Sequence, residues 1–238
     1  MKSIVLLPAT VLILAAATLF AKVPDPGAAF TREQQQAITP KQALQRLKDG
    51  NERFVEGVAV QRDLREQAEA TAAGQFPFAV VVNCLDSRAS AELVFDQGLG
   101  DIFNARVAGN VVNDDILGSL EFACKVVGAK LIAVIGHNEC GAVKGAVDKV
   151  ELGNLTGLLQ RIEPAVAEAG KQVKGERSSK DKSLVEQATT DNVLLQMKTI
   201  REKSPILREM LDKGDIAVVG GIHDLASGKV TFLDTAKN

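Results

Sequence analysis

Two short apolar runs, residues 78–82 and 131–135, each stop at a cluster of side chains able to hold a metal. The first leads into Cys84-Leu85-Asp86-Ser87-Arg88, the second into Gly136-His137-Asn138-Glu139-Cys140. Apolar runs of this length, bounded by turn residues, read as buried strands. In open α/β sheets, sites form beyond the carboxyl ends of strands, where neighbouring connections diverge to opposite faces. If these two strands are neighbours at such a point, Cys84 and His137 meet there. The chain has only two histidines and three cysteines, so this grouping uses most of its soft-ligand supply.

The rest of the sequence supports an α/β fold. Strands are expected at 78–83, 101–105, 130–135, 216–222 and 229–233, alternating with helical stretches. That pattern implies four parallel strands covered by helices, with the last strand adding an antiparallel edge at the C-terminus. Thr39-Pro40 opens a first helix, with Ala43, Leu44 and Leu47 on one face and Gly50 closing it. A second amphipathic piece covers 63–73. These two helices have few apolar positions and are expected to lie on something, a partner subunit being one candidate. Further helices are expected at 114–127, from Cys140 to about residue 150, at 155–173 and 184–203, and after Ser204-Pro205.

At the N-terminus, Met1-Lys2 and the apolar run 4–21 look like a secretory signal ending at Ala21. An uncleaved membrane anchor is the competing reading. The expected organisation is a signal peptide at 1–21, a linker or arm at 22–38, and one zinc domain at 39–238 that includes the N-terminal helical arm. Either reading exports the domain, to the periplasm or beyond. A net charge of −2 gives no footprint for nucleic acid.

Two thiols and one imidazole arranged C…H-x-x-C suit one zinc ion per chain. Cys84, His137 and Cys140 leave a tetrahedral metal one position short, the pattern of a catalytic rather than a structural site. Water in that position is acidified by the metal to hydroxide near neutral pH. Asp86 can accept a hydrogen bond from it, and Arg88 can hold Asp86 bidentately. Alternatively Asp86 itself fills the fourth position and closes the site. In an oxidising compartment a Cys84–Cys140 disulfide competes with metal. Cys124, on an apolar helical pattern, reads as an inert core residue. His223 could shuttle protons near neutrality, but its place in the last hairpin favours a structural hydrogen bond.

Cys84-x-Asp86-Ser87-Arg88, Gly136-His137-x-x-Cys140-Gly141-Ala142-Val143 and the intervening Ser119-Leu120-Glu121-Phe122-Ala123 closely resemble the β-class carbonic anhydrases. The resemblance runs from about Thr39 to Leu233. It implies zinc hydroxide attacking carbon dioxide to give bicarbonate and a proton, with Cys84, His137 and Cys140 as ligands and Asp86–Arg88 as the dyad. It implies a homodimer or homotetramer with sites near the subunit interface. It further implies a substrate contact from Gln75 and an aromatic pocket wall from Phe103, and it puts the stretch 106–110 near the pocket. Without that resemblance, Gln75 reads as a turn residue and Phe103 as strand core. The chain lacks Trp and Tyr, so the Trp–Arg–Tyr bicarbonate site of some bacterial members is missing, and an open zinc is expected at neutral pH. Alternatives are hydrolysis of carbon disulfide or carbonyl sulfide on the same scaffold, or a closed-site zinc protein without catalysis.

Overall fold

The computed structural model describes residues 27–234. The expected signal peptide therefore lies outside the described residues, as does the start of the expected linker. The sheet has five strands: β1 (Ala79–Asn83), β2 (Ile102–Arg106), β3 (Leu131–His137), β4 (Ala217–His223) and β5 (Val230–Phe232). Their order is β2-β1-β3-β4-β5. The first four run parallel, and only β5 pairs antiparallel, to β4. The expected mixed sheet is thus the observed one.

Alternation along the strands sorts the core into two layers. Ala79 and Val81 of β1, with Leu131, Ala133 and Ile135 of β3, face one side. Helix α1 (Arg32–Ala37) lies N-terminal to that layer. The layer itself is covered by α2 (Pro40–Glu56) and α4 (Ala91–Val94), with α3 (Leu64–Thr71) alongside. Val80 and Val82 of β1, with Ile132 and Val134 of β3, face the other side. That side is covered by α5 (Asp114–Glu121) and the π-helical turn Phe122–Val127 that continues it. Beyond β3 come α6 (Gly141–Val147), α7 (Gly153–Leu159) and α8 (Glu163–Gln172). The 22-residue α9 (Lys182–Lys203) and then α10 (Pro205–Asp212) complete the second layer.

Several boundaries differ from the sequence reading for physical reasons. The segment expected as a linker contains α1, whose Thr31 and Gln34 form a capping box. Just before it, Phe30 is buried against Phe78. Helix α2 runs straight through Gly50 and ends at Gly57, which takes a left-handed φ of 72°. Gly50 is a packing residue instead: a Cβ there would sit 1.8 Å from the Phe95 carbonyl oxygen. With Ala43 and Leu47 in the same core layer, α2 lies on its own sheet. The single helix expected at 155–173 is two, α7 and α8, and Pro164 lies in the first turn of the second.

The strand order sets the site. Going from β1 the chain crosses outward to β2, then back past β1 to β3, so the connections diverge between β1 and β3. These two strands pair directly from Ala79↔Leu131 to Asn83↔Ile135. Cys84 and His137 therefore leave adjacent strands at the same end, as expected.

Candidate metal centre

Cys84 follows the last residue of β1, and its loop is tied down at once. Asn83 Nδ2 donates to the Ala89 carbonyl at 2.5 Å, and the Ala89 amide donates to the Asp86 carbonyl at 2.9 Å. From the end of β2, Arg106 Nε donates to the Cys84 carbonyl at 3.1 Å, and Nη2 donates to that of Asp86. One guanidinium thus spans both carbonyls of the Cys84–Asp86 segment. His137 ends β3, and Cys140 is the N-cap residue of α6. The ligand atoms of Cys84, His137 and Cys140 lie within 4.8 Å of one another, and all three residues are buried.

Donor chemistry and spacing fit zinc. The two sulfurs are 4.0 Å apart, close to the roughly 3.8 Å that two zinc–sulfur bonds of ~2.3 Å subtend in a tetrahedron. All three cysteines are free thiols. His137 Nδ1 donates to the Asn138 carbonyl at 2.7 Å, which fixes the tautomer and leaves the Nε2 lone pair directed outward. Nε2 is buried and has no protein partner. A buried imidazole nitrogen with a free lone pair beside two thiols fits a metal ligand.

The electrostatics of the protein alone point the same way. Cys84 is held below the ordinary thiol range, first by the Cys140 thiol and then, against burial, by His137 and the Gly109 amide. Cys140 is correspondingly pushed up by its hydrogen bond to Cys84 and by burial. Asp86 is held well below the usual carboxylate range, above all by Arg88. Arg88 Nε and Nη2 donate to Oδ1 and Oδ2 of Asp86 at 2.9 and 2.8 Å, and the Arg88 amide adds a third bond to Oδ1 at 3.0 Å. Asp86 Oδ2 is 4.0 Å from His137 Nε2, so the carboxylate flanks the ligand group while both of its oxygens are engaged by Arg88.

The remaining expected residues are placed differently. Gln75 is exposed in the loop before β1, at the opposite end of that strand from Cys84. Phe103 is half-buried on the edge strand β2 and packs against Phe122, with ring centroids 6.4 Å apart. Neither belongs to the ligand group of its own chain. Cys124 is buried, and burial pushes its thiol up to about 12, as an inert core residue requires. His223 is closer than its sequence position suggested: it pairs in register with His137 at the ends of β4 and β3. It is buried, and no side-chain hydrogen bond of the expected kind holds it among the described residues. The Gly109 amide, 3.3 Å from Cys84 Sγ, was not singled out from sequence, although the stretch 106–110 that carries it was.

A parallel sheet with Cys-His-Cys ligands at its switch point and a carboxylate–guanidinium pair alongside defines an α/β zinc enzyme. The family model described as carbonic anhydrase matches residues 79–230. Carbonic anhydrase 2 of Mycobacterium tuberculosis is 36% identical over 205 residues, covering 84% of this chain and 95% of that protein. The carbonic anhydrase of Mycolicibacterium smegmatis is 35% identical, covering 80% and 92%. Among solved structures, the β-carbonic anhydrase CcaA superposes with a TM-score of 0.64 at 28% identity, covering 80% of this chain and 87% of that one. CafA of Aspergillus fumigatus superposes with a TM-score of 0.63 at 27% identity, covering 83% and 92%. The chain belongs to the β-class carbonic anhydrase family.

Proposed function

We infer that this protein is a carbonic anhydrase, which reversibly hydrates carbon dioxide to bicarbonate and a proton at one zinc per chain. The observation that carries the reading is the buried Cys84–His137–Cys140 group beside an Asp86 already paired to Arg88. Zinc supplies the Lewis acidity that lets a water lose its proton near neutral pH. The chain's own residues do the rest. Cys84, His137 and Cys140 hold the metal, with Asn138 fixing the His137 tautomer. Arg88 holds the Asp86 carboxylate ionised and oriented, so that it accepts a hydrogen bond at the open position and does not become a fourth ligand. That engagement of both Asp86 oxygens supports the open arrangement.

The test is stopped-flow hydration of carbon dioxide on residues 22–238, with zinc measured on the same sample. The expected result is about one zinc per chain and rapid hydration. Asp86→Ala and Arg88→Ala should lower kcat/KM by ~100-fold or more while zinc content holds. Full zinc with no hydration between pH 7 and 9 would sink the reading.

Two further properties belong to this proposal. Residues 1–21 have the composition of an export signal, so the domain acts outside the cytoplasm; N-terminal sequencing of the secreted protein tests this. The chain also works as a homo-oligomer. Among the described residues strand β2 is an open edge of the sheet, with Phe122 half-exposed beside Phe103. Gln75 lies at the wrong end of β1 to serve its own zinc, so its expected substrate contact needs a second copy. Two β-carbonic anhydrases of Sordaria macrospora are described as tetrameric; their likeness, at 23% identity, bears on fold alone.

A further inference from the structure

Cys84 stands at the end of a chain of amides that runs through helix α9. Helix α9 places Asn192 and Gln196 one turn apart on a buried face, 0% and 2% exposed. The Val112 amide donates to Gln196 Oε1 at 2.9 Å. Gln196 Nε2 donates to Asn192 Oδ1 at 2.9 Å, and Asn192 Nδ2 donates to the Gly109 carbonyl at 2.8 Å. The Gly109 amide then donates to Cys84 Sγ.

The direction of this chain is forced. A backbone N–H can only donate, so Val112 decides which end of the Gln196 amide faces it. That leaves the Gln196 NH2 for Asn192, whose oxygen is then used and whose NH2 is left for Gly109. The residue so held lies in a turn that the Asn110 amide closes by donating to the Val107 carbonyl at 2.9 Å. Gly109 has φ 65° and Asn110 φ 47°, two consecutive left-handed positions. A Cβ on Gly109 would fall 2.6 Å from Ile162 Cδ1, so the turn is also clamped from outside. Burying two carboxamides in a helix that packs on an apolar layer is costly unless every group is bonded. Leu or Met would fill the space without that cost. Here the bonds end on a metal-ligating sulfur, where an N–H donor draws charge from the thiolate and aims it.

We propose that Asn192 and Gln196 are positioning residues of the metal centre: they hold the Gly109 amide on Cys84 and thereby set zinc affinity and thiolate donation. The proposal rests on the zinc reading above. Gln196→Glu and Asn192→Asp are nearly isosteric, but each replaces the donating NH2 with an acceptor oxygen and so breaks the chain at that link. Ile200→Val, in the core one turn further along α9, perturbs packing without removing any hydrogen bond of the chain.

The readouts are the zinc dissociation constant of the intact protein, by chelator competition, and the sulfur-to-metal charge-transfer band of the cobalt-substituted protein. Both carboxylate variants should bind zinc ~10–100-fold more weakly and show a displaced or weakened band, while Ile200→Val leaves both readouts at parental values. Zinc affinities within twofold of the parent and an unchanged band would reduce Asn192 and Gln196 to packing residues and overturn the proposal. If a buried carboxylate prevents folding, Gln196→Met, which adds no charge, decides on the same two readouts. A parent protein that binds no zinc overturns the metal reading itself, and this proposal with it.

Discussion

Asp96 occupies a left-handed position, φ 45°, and is buried. Arg53 Nε contacts its Oδ2 at 2.5 Å, Arg62 Nη1 binds Oδ1, and the Val60 amide reaches both oxygens. Burial alone would raise its pKa, but the Arg62 and Arg53 hydrogen bonds and the Val60 amide outweigh burial and leave it lowered. The ionised form is therefore favoured by folding. Its contribution is complete above the unfolded-state value of about 3.9 and is lost as pH falls through the lower folded one. Asp96→Asn keeps a side chain tolerant of positive φ but removes the charge. It should cost about 1–3 kcal/mol near pH 7, with the gap to the parent closing below about pH 4; urea midpoints across pH 3–7 on metal-free protein check this. At this scale the metal ligands were legible because their residue types are rare in the chain and sit where apolar runs end. Asn192 and Gln196 were not, since in a linear reading a buried carboxamide looks like any polar residue on a long helix. His223 was misread for a related reason: sequence distance hid a register partnership that only strand order reveals.

Among the elements, α2 shows how a helix can be read as ending too early. Its Gly50 looks like a stop, yet the helix continues for six residues to Glu56. The glycine lets α2 approach Phe95, and the next residue, Asn51, fastens the contact. Asn51 Nδ2 donates to the carbonyls of Val94 and Gly228, and its Oδ1 accepts from the Val230 amide. Gly50→Ala should therefore reverse the usual gain of ~1 kcal/mol for alanine in a helix and destabilise by about 1–3 kcal/mol, read as a lower urea midpoint. Strand positions were legible from short apolar runs, because a parallel sheet buries both faces and leaves a continuous signal. Helix ends were less so, because Gly serves both termination and close packing, and only the partner surface distinguishes them. The break between α7 and α8 was missed because both halves keep a helical pattern.

For the whole molecule, β2 is an open edge among the described residues, and Phe122, which packs on Phe103 there, is half-exposed. Open edges with apolar neighbours are covered in stable proteins, and a second copy is the cover proposed above. Light scattering should give a mass at least twice the 25.3 kDa of the full chain, less any signal removed. Phe122→Glu should shift it toward the single chain and lower hydration with zinc content unchanged. A single-chain mass for the parent would overturn the proposed assembly. The overall architecture was the most legible level, because alternating strand and helix patterns leave few right-handed parallel arrangements.

Cys84 and Cys140 are 56 positions apart in sequence, yet their sulfurs are 4.0 Å apart. Between them lies the whole excursion from β1 out to β2 and back to β3. A metal bridging them is a clasp on that crossover, and it grips only after the excursion has closed. Closing a loop of this length has its entropy cost before any ligand is in reach, so the clasp comes too late to hasten assembly. It would act on the way out, because an ion held by both sulfurs would have to be released before β1 and β3 could part. Zinc bound there would govern how long the fold lasts more than how fast it forms.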